Sequence, residues 1–385
     1  MMKEKKYTFR KFIGDIHLWL GIASAIPLFI ICLSGTLYTF NKEIAQLLEP
    51  EKYQIETGKN PLALEQIITN TKSKTKGQVS RITYSDDREK PYELQVLMGK
   101  EDKRGKTFYV NQYNNAILGN SDGPSSKFMM TMFKMHRWML LDQEIGRPIV
   151  GVATLIFVIL SFSGLIIWLP KKFKGRKSFK GGLNIKFSAN WKRINHDLHN
   201  VLGFYSLIFL LIVSLTGLNW SFEWYKNGLS TVLNAEVFAG RNEIKPTVQI
   251  PKQSKILTMD QVASISSKVF IYKGITTISV PKKADDAFEV TKRNALNLNK
   301  VSTDRTFINP YTSEILKTEI FADKSFGEKI AAQIKPIHTG EIYGLFSKII
   351  YFIVCLIATS LPITGMIIWI NKLNKKPKNK KRLVE

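Results

Sequence analysis

Four stretches of this chain contain no Lys, Arg, Asp or Glu over 22 to 25 consecutive residues: Leu18–Phe40, Pro148–Pro170, Leu198–Phe222 and Ile349–Ile370. At about 1.5 Å per residue, a helix of that length covers the roughly 30 Å hydrocarbon core of a bilayer. In lipid a backbone must satisfy its own hydrogen bonds, so such stretches read as membrane-spanning α-helices. The near-zero mean hydropathy of −0.07 is therefore an average over four spans and two long polar insertions. Length alone would predict two or three soluble domains. The spans exclude that class and predict an α-helical membrane protein built on a four-helix bundle.

The net charge of +25 has a location that explains it. Lys3, Lys5, Lys6, Arg10 and Lys11 precede the first span, and a basic tail runs from Lys372 to Arg382. The linker from Lys171 to Arg193 carries nine Lys/Arg and no acid. With four spans these three segments share one side, which the positive-inside rule makes cytoplasmic. Both termini then face the cytoplasm of a bacterial inner-membrane protein, and the insertions face outward. No nucleic-acid partner is needed to account for the basic residues. The first apolar stretch is too long for a signal-peptide core and is read as a retained span. Cys32 and Cys355, the only cysteines, lie in spans, so no disulfide framework is expected outside.

The chain is also written twice. His17-Leu-Trp-Leu-Gly21, ending its apolar run at Ser34-Gly35, aligns without a gap on His199-Asn-Val-Leu-Gly203, ending at Thr216-Gly217. His136…Gly164-Leu-Ile-Ile-Trp168 likewise matches His338…Gly365-Met-Ile-Ile-Trp369. Four of the five histidines sit in this pattern, and the fifth, His196, lies one turn before His199. Histidines placed symmetrically near span ends suggest bound metal or haem.

The insertions 41–128 and 223–335 repeat in the same way. The first reads as a helix near Pro61–Thr71, then strands at Val79–Tyr84, Tyr92–Leu97, Thr107–Val110 and Ala116–Leu118. The second reads as a helix near Met259–Val269 and strands at Thr276–Val280, Ala287–Thr291 and Thr306–Ile308, with Ile315-Leu316 matching Ile117-Leu118. The expected layout is an internally duplicated four-helix transmembrane bundle with two small external α+β domains. Its boundaries are an N-terminus 1–16, spans 17–40, 129–170, 196–222 and 336–370, a linker 171–195 and a tail 371–385. The second and fourth spans carry external helical extensions.

These residues resemble the PepSY-associated transmembrane family over nearly the whole chain. The resemblance rests on the His-x-Trp-Leu-Gly opening, Asp197-Leu-His199-Asn-Val-Leu-Gly203-Phe-Tyr205, Gly146-Arg-Pro-Ile-Val-Gly151 and both helix-plus-sheet insertions. Some members resemble inner-membrane di-haem reductases that release iron from ferric siderophores. The resemblance thus implies an oxidoreductase with two haems b that reduces a ferric siderophore or other ferric chelate outside.

Neutral imidazole is a good axial ligand for haem iron, and a bis-histidine site suits one-electron transfer. No Cys-x-x-Cys-His occurs, so haem would be b-type. His17 and His199 are read as ligands of one haem, with Gly21 and Gly203 on the same helix faces leaving room for a flat ring. His136 and His338 are read as ligands of another. Each lies about eleven residues from its apolar run, roughly 16 Å of helix, which would place that site above the bilayer. In each case the other reading is a polar residue marking a helix end or packing against an insertion. His196 is either a substitute ligand, a propionate contact or a surface residue. Arg10, Lys11 and Arg193 at the inner side, and Arg137, Arg147 and Lys335 at the outer, are candidate partners for propionates, Arg137 foremost. Phe204, Tyr205, Trp220 and Phe352 are candidates for the space between sites more than 20 Å apart.

No dinucleotide fingerprint, Walker loop, His-Glu-x-x-His or nucleophile elbow is present, so electrons would come from a quinol or a separate cytoplasmic donor. Three rivals remain. One is haem electron transfer to a quinone or periplasmic oxidoreductase. Another is a haem-free, membrane-anchored PepSY regulatory module. The third is a transporter, for which Pro27 and Pro362 supply kinks but no midplane charge.

Overall fold

The computed structural model describes residues 7–374 apart from 100, 103, 172–178, 240–244 and 253–254. The first six residues, part of the basic linker and the tail from 375 onward therefore lie outside the described residues. The chain runs α1 (Phe9–Tyr38), α2 (Asn41–Leu48), α3 (Leu64–Thr75), β1 (Gln78–Ser85), β2 (Tyr92–Leu97), β3 (Lys106–Val110), β4 (Ile117–Asn120), α4 (Pro124–Trp138) and α5 (Gln143–Trp168). It continues through α6 (Lys180–Leu183), α7 (Trp191–Gly217), α8 (Glu223–Leu233), α9 (Met259–Val269), β5 (Gly274–Ser279), β6 (Phe288–Asn294), β7 (Asp304–Ile308), β8 (Ile315–Glu319), α10 (Phe326–Thr339) and α11 (Leu345–Leu373).

Helices α1, α5, α7 (extended by one tight turn to Trp220) and α11 are long and apolar enough to cross a membrane. Thr8 and Asn190 cap the two helices that open on basic residues, accepting from the amides of Lys11 and Arg193. Each of α1 and α7 packs against both α5 and α11, closing a four-helix ring. Thr36 and Thr359 join α1 to α11 by a hydroxyl pair at 3.2 Å. Large apolar side chains such as Ile26, Ile208 and Leu356 stay exposed on the outside, as a lipid-facing surface requires.

The strands form a single sheet, where the sequence suggests two. Its order is β4-β3-β2-β1-β5-β6-β7-β8, antiparallel throughout. The seam is β1 against β5, from Arg81 opposite Ser279 to Ser85 opposite Ile275, and the Thr83 and Thr277 hydroxyls meet across it at 2.9 Å. Pairing there removes the exposed edge that each four-stranded half would otherwise carry. One face buries Ile82, Leu94, Val96, Ile278, Val290 and Ile308 with Ile67 and Ile68 of α3 and Val262 of α9 in one core. The two helices also cap each other. Asp260 accepts from the amides of Leu64 (2.8 Å) and Glu65 (3.1 Å), while Glu65 accepts from that of Met259 (3.1 Å).

One expectation needs correcting. α4 does not continue into α5 as a straight extension rising above the membrane. Met139 and Leu140 take left-handed backbone angles (φ 55° and 62°), and the chain turns before α5 starts at Gln143. Gly340 (φ 71°) makes the matching break between α10 and α11. The two short helices are thus free to lean back onto the bundle. Gly146 marks how close they come: a Cβ there would lie 2.0 Å from the Trp138 carbonyl oxygen.

Two facing histidine pairs as a candidate functional site

His17 of α1 and His199 of α7 face each other near the basic end of the bundle, with ring centroids 6.4 Å apart. At the sheet end, His136 of α4 faces His338 of α10 at 6.1 Å. The second pair does not stand above the bundle. His136 Nδ1 lies 2.9 Å from the carbonyl oxygen of Ile31, within α1, and Ile31 packs with Val150 and Ala153 of α5. His338 Nδ1 is likewise 2.9 Å from the Val213 carbonyl oxygen of α7. Both sit level with the spans because the turns after α4 and α10 fold these helices back.

The partners of Nδ1 dictate the tautomer. A carbonyl oxygen only accepts, so His136 and His338 donate from Nδ1. At the basic end Nδ1 of His17 meets Ser163 Oγ, and that of His199 meets Thr364 Oγ1, each at 2.9 Å. Both hydroxyls already donate their one proton to their own helices, Ser163 to Leu160 O at 3.2 Å and Thr364 to Ser360 O at 3.0 Å. Their lone pairs can then accept from Nδ1–H. His136 and His338 thus leave Nε2 as a base, the form in which imidazole binds a metal, and His17 and His199 do so in the same tautomer. Two imidazoles on one ion, with bonds of about 2 Å, have centroids about 6 Å apart. Both pairs match that separation.

Each ring is seated on a glycine of the neighbouring helix. A Cβ at Gly35 or Gly217 would lie 3.0 or 3.1 Å from Cε1 of His136 or His338, and at Gly164 or Gly365 3.3 Å from that of His17 or His199. In every case Ser or Thr precedes the glycine: Ser34, Ser163, Thr216 and Thr364. This four-fold Ser/Thr-Gly signal is in the sequence, but its meaning depends on which helix a histidine leans on. Gly21 and Gly203 do something else. A Cβ there would meet only Leu160 at 3.9 Å or Leu361 at 3.7 Å. They open space in a cavity of about 500 Å³ beside His17 and His199. Its interior is apolar, with Phe157, Leu160 and Leu361, and Lys11, Lys372, Asp15, His196, Asn200 and Ser161 add polar lining.

Several expected partners are committed elsewhere. Arg10 donates to Leu169 O at 2.7 Å and to Ile167 O, and Arg193 pairs with Asp197 at 2.7 Å, which leaves Lys11 as the one of those three that lines the cavity. His196 is exposed against Asn200, and it is His199 that faces His17. Arg137 lies over the rings of Phe133, Trp138 and Trp220, and Trp220 is 5.2 Å from the His338 ring. Arg147 donates to Trp220 O, and Lys335 is exposed. Of the aromatics proposed for the space between the pairs, Phe204 stacks on Trp168 (3.8 Å), Tyr205 is exposed, Trp220 is at the sheet end and Phe352 packs on Phe40. Phe157 occupies the middle: it lines the cavity and packs on the cluster that contains Ile31.

These features define a membrane-spanning helical bundle that holds two facing histidine pairs at different depths and carries an antiparallel sheet at one end. The chain belongs to the family described as the PepSY-associated TM region, whose model matches residues 15–372 and so takes in all four spans and all five histidines. No curated protein matches it.

Proposed function

We propose that the protein is a b-type di-haem electron carrier that conducts single electrons across a bacterial inner membrane to a ferric chelate, most simply a ferric siderophore. The observation that carries this reading is the pair geometry: two facing imidazoles at about 6 Å between centroids, repeated at two depths. A structural zinc ion takes four protein ligands, and among the described residues no group of three or more His, Cys, Asp or Glu comes together. An ion held by two facing imidazoles has coordination positions left over, which the four nitrogens of a haem ring would fill. The fit extends to the cavity at His17 and His199, which has an apolar body for a macrocycle and, in Lys11 and Lys372, cations for its carboxylates.

A haem with two histidine ligands supplies reversible one-electron exchange. The chain's own groups do the rest. Ser163, Thr364 and the carbonyls of Ile31 and Val213 fix the four rings, and the glycine seats allow the rings to approach. Phe157 and its apolar neighbours keep water from the space between the levels. Gly35 and His17 lie eighteen residues apart on α1, or about 27 Å. That gap is too long for one site to serve both faces, which accounts for two. In this reading the termini are cytoplasmic, the electron donor is a quinol or a cytoplasmic reductant, and the sheet receives the acceptor outside. The choice of a ferric chelate rests on family resemblance.

The test is the visible spectrum of detergent-purified protein from haem-replete cells, oxidised and dithionite-reduced, with haem counted per chain. A reduced b-type α-band at two haems per chain is expected, with reoxidation by a ferric siderophore. His17→Ala with His199→Ala should remove one haem, and His136→Ala with His338→Ala the other. A colourless protein would refute the carrier and favour a PepSY-type regulatory module; reoxidation only by quinone or another protein would change the acceptor.

A further inference from the structure

The loop between β6 and β7 exposes two leucines that nothing in the sheet requires. Leu296 is 87% exposed and Leu298 78%, within Ala295-Leu-Asn-Leu-Asn-Lys300. The loop is fixed in place. Its Lys300 amide donates to Ile342 O at 2.7 Å, and Lys300 Nζ donates back to Ala295 O at 3.0 Å. The Lys300 side chain also passes 3.4 Å from where a Cβ of Gly344 would be. Gly344 is the residue on which α11 starts.

From Gly344 the charge-free part of α11 begins at Ile349, five residues on, or about 7.5 Å along the helix. The headgroup layer of one leaflet is about 5–8 Å thick. Gly344 and the loop on it are therefore at headgroup depth. Next to it Leu345 (59% exposed) and Phe346 (70%) begin an apolar outer stripe that continues through Ile349, Ile353 and Leu356. Leu298 is two residues from Lys300, within about 7 Å of chain. The two leucines thus extend a lipid-facing surface that the span itself establishes.

We propose that the β6–β7 loop is seated in the outer headgroup–acyl boundary, with Leu296 and Leu298 inserted into lipid. The occupant of this patch is the bilayer that α11 crosses. Apolar side chains flanked by Asn and Lys suit that boundary, where the chain ends of Leu enter the acyl region and the polar groups stay with headgroups. The sheet is then held to the membrane at a point away from its helical connections, which restrains its rocking over the His136–His338 pair. This inference is independent of whether the histidines carry haem.

The test uses the full chain in lipid nanodiscs. In a Cys32→Ala, Cys355→Ala background, Leu298→Cys is labelled with bimane, and a fraction of the lipid is replaced by lipid brominated high on its acyl chains. Bromine quenches at contact range, so a fall in fluorescence of a third or more is expected, together with weak quenching by aqueous iodide. Fluorescence unchanged by brominated lipid, with iodide quenching as strong as for the free dye, would overturn the proposal. Leu298 is on the surface, so the substitution leaves the fold intact.

Discussion

Replacing Gly217 tests whether the close fit of histidine on glycine matters. An alanine Cβ there would lie 3.1 Å from His338 Cε1. Carbon atoms prefer separations of about 3.5–4.0 Å, so the ring must withdraw by about 0.4 Å. The Nδ1···O contact with Val213, now 2.9 Å, would lengthen to about 3.3 Å, past the normal N–H···O limit of about 3.2 Å. Losing most of that bond costs about 0.5–1.5 kcal/mol, a weakening of about 2–12-fold in whatever the ring ligates. Under the proposed function, Gly217→Ala should therefore retain the sheet-end haem less tightly, losing it first on dilution in detergent. Gly217→Val, whose added methyls cannot share the space, should purify with one haem. Gly228→Ala, on α8 with nothing within 4 Å of the added Cβ, is the neutral control. The assay is haem per chain with the reduced α-band, on material shown monodisperse and helical by circular dichroism. Two tightly held haems and an unaltered spectrum in Gly217→Val would refute the seat argument.

Under the proposed function, Thr364→Val, which keeps shape but removes the hydroxyl beside His199 Nδ1, should loosen the basic-end haem by the roughly 10–100-fold that ligand-orienting groups are worth, seen as correspondingly faster release in a haem-transfer assay, while the sheet-end haem stays. Lys348 is 4% exposed and held by Glu43 at 2.6 and 2.7 Å. Glu43→Ala, which leaves a buried ammonium unpaired, should cost about 3–5 kcal/mol, whereas Lys348→Met leaves only a half-exposed carboxylate and should cost clearly less; equal losses in thermal melting in detergent would contradict this. Glu319 at the end of β8 loses solvation by burial, but hydrogen bonds from Lys317 (2.5 Å) and Arg305 (2.7 Å) outweigh that and pull its pKa from the ordinary 4.5 to about 2. The folded value is the lower one, so the stabilisation is complete above pH 4.5 and fades as pH falls toward 2. Glu319→Gln should flatten that acid limb in sheet unfolding followed by circular dichroism, and an unchanged limb would show that other groups set it.

The spans were legible because lipid permits only one solution for a long charge-free stretch. The strand positions followed from alternation, and the helix Met259–Val269 is recovered to the residue. The joining of the halves was not legible. Nothing in β1 or β5 distinguishes an edge strand from a central one, since Thr83 and Thr277, with hydroxyls outward, fit either setting. α2 and α8 carry no sequence signal of their own, because each is a short amphipathic helix just past the end of a long apolar span.

The sheet-end histidines show most clearly what sequence withholds. In the second half, Gly340 announces a break after His338, since glycine takes the left-handed angle freely. In the first half that angle falls on Met139 and Leu140, which carry no such signal, so an eleven-residue gap reads as 16 Å of continuous helix. The error in depth follows from that one turn. Once the turn is known, the rest follows from hydrogen-bond accounting. A neutral imidazole beside a carbonyl donates to it, and its other nitrogen is then a base. His136 and His338 stand in that relation to Ile31 and Val213, and all four rings rest on a Ser/Thr-Gly step of another helix. Packing alone would be met by any small polar residue in these seats. Under the proposed function, the ring spacing of each pair, 6.4 and 6.1 Å between centroids, is what one metal ion shared by two imidazoles would need.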